Sequence, residues 1–204
     1  MCEESGNIQL SAGRPREFDE GSALASILDV FWEKGFDGTS LSDLVEATGV
    51  RKASLYKSFG NKQSMYRHAL GLYEARFIAS AAEDLAAEGS LKERLDRFLS
   101  LPINARWRDL DLRGCFLCNA SADVAVLDED VRRKVIGARA KLIAAAENAF
   151  ASDGSFIQPD ESQRNAHFIV AVYSGLRLMA RSGETRQVME DAKNKALDTL
   201  EAGP

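Results

Sequence analysis

A glycine corner inside residues 39–67, TSLSDLVEATGVRKASLYKSFGNKQSMYR, constrains this chain more than any other stretch. Ahead of it, Leu41, Leu44, Val45 and Thr48 recur at helical spacing and give one apolar face. Ser40 stands where a short polar side chain caps a helix, and Asp43 favours the same end by its charge. Gly49 fits the other end, where a left-handed backbone strains any residue carrying a Cβ. Val50 follows, and a second short helix is predicted over 51–59. Two short helices around a tight glycine turn form the helix-turn-helix pattern, whose second helix enters the DNA major groove.

Charge sharpens this. From Ala47 to Arg67 the basic residues are Arg51, Lys52, Lys57, Lys62 and Arg67, and there is no acidic residue. The whole chain carries −5, so the remainder carries −10. A basic segment in an acidic protein is a local electrostatic footprint for a polyanion. A solvated helical face is the plainer reading of charge alone; the glycine turn, the helical spacing and Tyr56 beside the lysines favour DNA. On the second helix, Leu55 and Phe59 lie one turn apart and should point inward. Lys52, Ala53 and Tyr56 then face base edges, with Ser54, Lys57 and Ser58 placed for phosphates. Thr39, Ser40 and Ser42 are further candidate contacts from the preceding helix.

The stretch GFDGTSLSDLVEATGVRKASLYKSFGNKQSMY resembles the DNA-binding domain of the TetR family. Its markers are filled by Gly35, Phe36, Thr39, Gly49, Val50, Leu55, Tyr56, Phe59 and Lys62, and the likeness covers roughly residues 14–75. The resemblance implies an all-α chain: an N-terminal three-helix helix-turn-helix domain, then a helical ligand-binding and dimerisation domain. It implies a transcriptional regulator, most often a repressor released from a palindromic operator by a small molecule. It also gives Lys62 a phosphate contact at the start of the fourth helix. One position departs from the pattern: Arg51 stands where the family has a small capping hydroxyl, and arginine cannot cap, so either the helix start is less tight or, the favoured reading, Arg51 is recruited for DNA.

The domain boundaries expected are a disordered tail over 1–13, the DNA-binding domain over 14–62 and the helical domain over 63–204. Arg14 and Arg16 could form a basic arm reaching a minor groove or phosphates, or a solubilising tail. A first helix is predicted over 17–34, with Leu24, Ile27, Leu28 and Phe31 on its face. Long helices are predicted over 61–87 and 90–108, the second kinked at Pro102, and over 128–152, 160–182 and 184–202. With 45% hydrophobic residues the chain can bury a real core, and no sustained strand-like alternation competes. No apolar run approaches the ~20 residues that span a bilayer, and the N-terminus lacks a hydrophobic signal core, so a cytoplasmic protein without membrane association is expected. Three cysteines without a disulfide framework fit a reducing compartment.

RGCFLCNASADVA, residues 113–125, is the most distinctive part of the body. Cys115 and Cys118 share a helix face, and a thiol at a helix start beside Arg113 would be acidified and reactive. A G-C-x-x-x-N segment of this kind marks a subgroup of the resembling regulators, some of which sense electrophiles through cysteine. Small cysteines that simply pack are the alternative. Phe77, Phe98, Trp107, Cys115, Phe116, Asn119 and Tyr173 are candidate walls of an effector cavity. The helix over 160–182 is apolar nearly all round, which implies burial on two sides. The resemblance makes the second side a homodimer contact through the last two helices; a core helix buried wholly within one chain is the alternative. No cofactor is implied. A metal site would need more ligands than Cys-x-x-Cys supplies, and His68 and His167 have no paired spacing. No catalytic triad, phosphate-binding glycine loop or zinc signature is present, so no enzyme is expected.

Overall fold

The computed structural model describes residues 18–123, 127–153 and 159–201. The expected tail, Arg14 and Arg16 lie outside the described residues, as do residues 154–158. Among the described residues there are ten α-helices and no strand.

The Asp19 carboxylate caps α1 (Glu20–Gly38), accepting the Gly21 N–H at 3.0 Å and the Ser22 hydroxyl at 2.6 Å. The helix therefore begins at Glu20 rather than Glu17. It buries Ala23, Ile27, Leu28, Phe31 and Trp32 along one face. Gly35 breaks its regularity, as expected, with φ 73° and ψ 178°, and a further turn leads to Thr39. In α2 (Leu41–Thr48), Ser40 and Asp43 form a reciprocal capping box: Asp43 N–H donates to Ser40 Oγ at 3.1 Å and Ser40 N–H to Asp43 Oδ2 at 2.7 Å. Gly49 closes α2 at φ 66° and ψ 8°, the left-handed conformation. Next come α3 (Lys52–Phe59) and α4 (Lys62–Tyr73), the latter capped by Asn61.

The single helix expected over 61–87 is divided. After α4 comes a π-helical segment, Glu74–Ile78, and then α5 (Ala79–Ala86). The wider turn accompanies an aromatic cluster: Tyr73 and Phe77 stack at 4.8 Å, and both meet the Trp32 ring nearly edge-on at 5.0 and 5.1 Å. Tyr66 and Tyr73 both reach Phe116 further into the body, at 5.3 and 5.8 Å. One aromatic core thus joins α1 and α4 to Phe116 in the body.

The body comprises α6 (Leu91–Trp107), α7 (Phe116–Ala122), α8 (Glu129–Asp153), α9 (Pro159–Ser182) and α10 (Arg186–Glu201). The kink expected at Pro102 does not interrupt α6; the proline is buried and the helix runs on to Trp107. Buried Arg94 crosses from α6 to the ends of two neighbours, donating to Ala149 O at 3.1 Å and Leu85 O at 3.4 Å. Leu85 O lies in the last turn of α5, where the helix leaves carbonyls unpaired, and Ala149 O also accepts the Ser152 hydroxyl at 3.0 Å. On α9, Ala166, Ile169, Val170, Tyr173, Leu176 and Ala180 are buried within the chain. Its other side leaves Phe168 40% and Leu178 62% exposed. The second burial expected of this helix is therefore not met within one chain.

Candidate nucleic-acid interface

Leu55 and Phe59 anchor α3 to the core, fully and nearly fully buried. Their opposite face carries Lys52, Ala53, Tyr56 and Lys57, all exposed, with Ser54 and Ser58 half-buried at its sides. Lys52 Nζ lies 5.9 Å from the Tyr56 ring centre, so two candidate base-reading side chains support each other. Ser58 Oγ donates to Glu20 Oε1 at 2.6 Å, tying α3 to α1. Arg51 occupies the α3 cap position and makes no capping hydrogen bond, which leaves its guanidinium exposed at the start of the helix. Lys62 Nζ sits 4.4 Å from the Phe36 ring centre at the start of α4.

The preceding helix divides its candidates. Ser42 is exposed. Ser40 is exposed but its hydroxyl is already engaged in the capping box. Thr39 corrects the expectation: it is 1% exposed and its hydroxyl donates to Gly35 O at 2.7 Å. Thr39 holds the turn between α1 and α2 and does not face outward.

A second constellation sits deeper. Cys115 is buried at the start of α7, and Cys118 is half-buried. The Cys118 thiol donates to the Cys115 sulfur; Arg177 and the Tyr73 hydroxyl add to this, and together they hold the Cys115 thiol below its ordinary range although burial opposes them. Cys118 is pushed the other way by the same bond. Arg177 Nε and Nη2 donate to the Tyr173 hydroxyl at 3.0 and 2.8 Å. The cation expected beside the thiol, Arg113, is engaged elsewhere: it lies 3.9 Å from the Trp32 ring centre and pairs with Asp29 at 2.7 Å and Asp111 at 3.0 Å. Sequence reasoning missed Arg177 and Tyr73. A lone arginine within the apolar run of α9 was the available signal.

The candidate effector walls pack as core. Phe98 stacks on Tyr173 at 4.3 Å, Cys115 and Phe116 are buried, and Asn119 Nδ2 donates to Arg113 O at 2.9 Å. Trp107 is half-buried and Phe77 is 39% exposed. The clefts between α4 and α8, α6 and α10, and α9 and α10 contain none of these seven residues. Among the described residues no group of three or more His, Cys, Asp or Glu is placed to hold a metal ion. No described helix is long and apolar enough to cross a membrane.

Residues 23–69 match the family model described as bacterial regulatory proteins, tetR family. The chain is 36% identical over 113 residues to the Escherichia coli K12 transcriptional repressor ComR, a match covering 55% of this chain and about half, 54%, of that repressor. It is 27% identical over 165 residues to the E. coli K12 transcriptional repressor NemR, covering 78% of this chain and 82% of NemR. Among solved structures, a cysteine mutant of the TetR-family regulator CifR in complex with 26bp double-strand operator DNA superposes with a TM-score of 0.79. It is 29% identical and covers 94% of this chain and all of that one.

Proposed function

Because this chain belongs to the TetR family of bacterial regulatory proteins, we propose that it is a transcriptional repressor that binds a double-stranded operator as a homodimer. One observation carries the reading: α3 buries Leu55 and Phe59 and turns Lys52, Ala53, Tyr56 and Lys57 outward as one exposed, basic face. Lys52 and Tyr56 would read base edges in the major groove, while Ser54, Lys57, Lys62 and Arg51 would hold phosphates; Ser58, its hydroxyl given to Glu20, would position α3 instead. One such helix contacts few bases, so a palindromic operator read by two copies is the fitting target. The exposed α9 face and the groove it forms with α10 supply the self-complementary surface. We assign it no catalytic activity and place it in the cytoplasm.

Release would follow from a small molecule that favours one arrangement of α4 over another, since a ligand acts only through its differential affinity for two states. Selection of DNA sequences by the purified protein tests the reading. A palindromic consensus, protected from cleavage and released by an effector, is the expected result; absence of any enriched sequence overturns it.

A second reading is favoured by the cluster around Cys115. Modification of that thiol, packed with Tyr73 and Arg177, would press on the junction of α4 and the π-helical segment and serve as the switch itself. Footprinting with and without an oxidant decides. Loss of protection in the parent but not in Cys115→Ser supports the thiol switch; an identical response in both removes it.

A further inference from the structure

A cleft of about 780 Å³ opens between α1, α4 and α8. Neither the outward α3 residues nor the thiols line it. Its volume falls in the range of small-molecule sites, roughly 300–1,000 Å³. Gly71 on α4 and Gly137 on α8 line it without side chains, which leaves room between the helices.

The lining is basic in an acidic chain. Arg67, Arg133, Lys134 and Lys141 face the carboxylates of Glu74 and Asp130. Asp130 is shared by two cations, Arg67 at 2.5 Å and Arg133, and Glu74 takes Lys141 at 2.5 Å. Lys134 is left over. It is half-buried, it has no carboxylate partner among the described residues, and its Nζ lies 3.6 Å from where a Cβ on Gly71 would stand. A partly desolvated ammonium without a counter-charge favours an anion at its side. Arg67 also lies 4.0 Å from Asp128; because Asp130 keeps Arg133 and Asp128 keeps the Val131 N–H at 2.9 Å, Arg67 can turn to that anion without stranding either carboxylate.

We propose that this cleft binds a phosphomonoester, held by Lys134 from α8 and Arg67 from α4, with His68 at its edge. A phosphate offers three acceptor oxygens, so cations from two helices can meet it together, and the arginine fork matches it bidentately. A carboxylate offers fewer acceptors to the same pair. A bound phosphate would tie α4 to α8 beside the π-helical segment. The proposal goes beyond the operator reading, and its test uses no DNA.

The test is calorimetric titration of the full chain, in phosphate-free buffer, with glycerol 3-phosphate, inorganic phosphate and succinate. Saturable binding of glycerol 3-phosphate at a single site per subunit is expected, with inorganic phosphate weaker and succinate weakest. Lys134→Met should weaken binding by about tenfold or more, the loss of one charge-assisted hydrogen bond. Lys134→Arg should restore it, and Arg132→Ala, on α8 outside the cleft, should leave it unchanged. Absence of saturation with both phosphate compounds overturns the proposal, as does succinate binding as tightly as glycerol 3-phosphate. Parental affinity in Lys134→Met overturns it as well.

Discussion

Asp123, at the end of α7, accepts the backbone N–H of Phe36 at 2.7 Å, across 87 positions of sequence. The bond lands on the residue after Gly35, where the backbone leaves helical geometry. Nearby, Arg113 reaches Asp29 and covers the Trp32 ring. The loop around α7 therefore grips α1 at two points, next to the helices that carry the outward basic face.

Removing that grip should be measurable. Asp123→Ala deletes a charged acceptor from a part-buried N–H, which costs about 1–3 kcal/mol in typical cases. The expected outcome is a lower urea midpoint with an unchanged slope and unchanged helical content. An unaltered midpoint would mean that solvent replaces the carboxylate without loss.

Lys52 and Lys62 should separate reading from anchoring. If Lys52 reaches a base, Lys52→Ala costs about 1–3 kcal/mol on the selected operator and relaxes sequence preference. Lys62→Ala should weaken all duplexes alike and flatten the salt slope by roughly one unit. Binding isotherms on operator and random duplexes over a series of salt concentrations provide the check. Equal losses on both duplexes for both variants would refute the division.

The contrast between Thr39 and Lys52 shows what was legible in the sequence. Helical spacing, the Ser40 cap and Gly49 are local features, and local chemistry alone defined α2, α3 and the inward set of Leu55 and Phe59. Thr39 looked equally available, yet its hydroxyl turns back to Gly35 O, a direction set by the α1 turn. The π-helical segment was invisible because it accompanies Tyr73 and Phe77 packing on Trp32, a residue some forty positions away in the chain. Arg177 rather than Arg113 lies by the thiols for the same reason: Arg113 sits next to them in sequence, but its charge is spent on Asp29 and Asp111.

Acid should find the α2 cap. Lys34 lies 2.7 Å from Asp43, and Ser40 adds hydrogen bonds, so the Asp43 carboxyl is held well below the usual carboxylate range. A depressed folded-state pKa contributes stability above the ordinary aspartate value of about 4, and that contribution is lost as pH falls through it toward the folded value. Asp43→Asn should therefore be less stable than the parent at neutral pH and should show a flatter decline on acidification. Urea midpoints between about pH 2 and pH 6 measure it; parallel curves for the two proteins would assign the acid sensitivity to other carboxylates.

The unpartnered side of α9 yields the last prediction. In the single chain Phe168 and Leu178 remain 40% and 62% exposed, beside an apolar groove of about 320 Å³ that includes Val172, Met179 and Ala192. Two-fold pairing brings the same patch of each copy together, so a charge placed on that exposed side meets a like charge on the other copy. Leu178→Glu should consequently give a folded monomer at micromolar concentration, by sedimentation, with unchanged helical content. Its loss of operator affinity should exceed that of any single outward change on α3, because the second half-site then no longer binds at an effective local concentration. A Leu178→Glu protein that still sediments as a dimer would place the contact on another face and leave this groove without a self-partner.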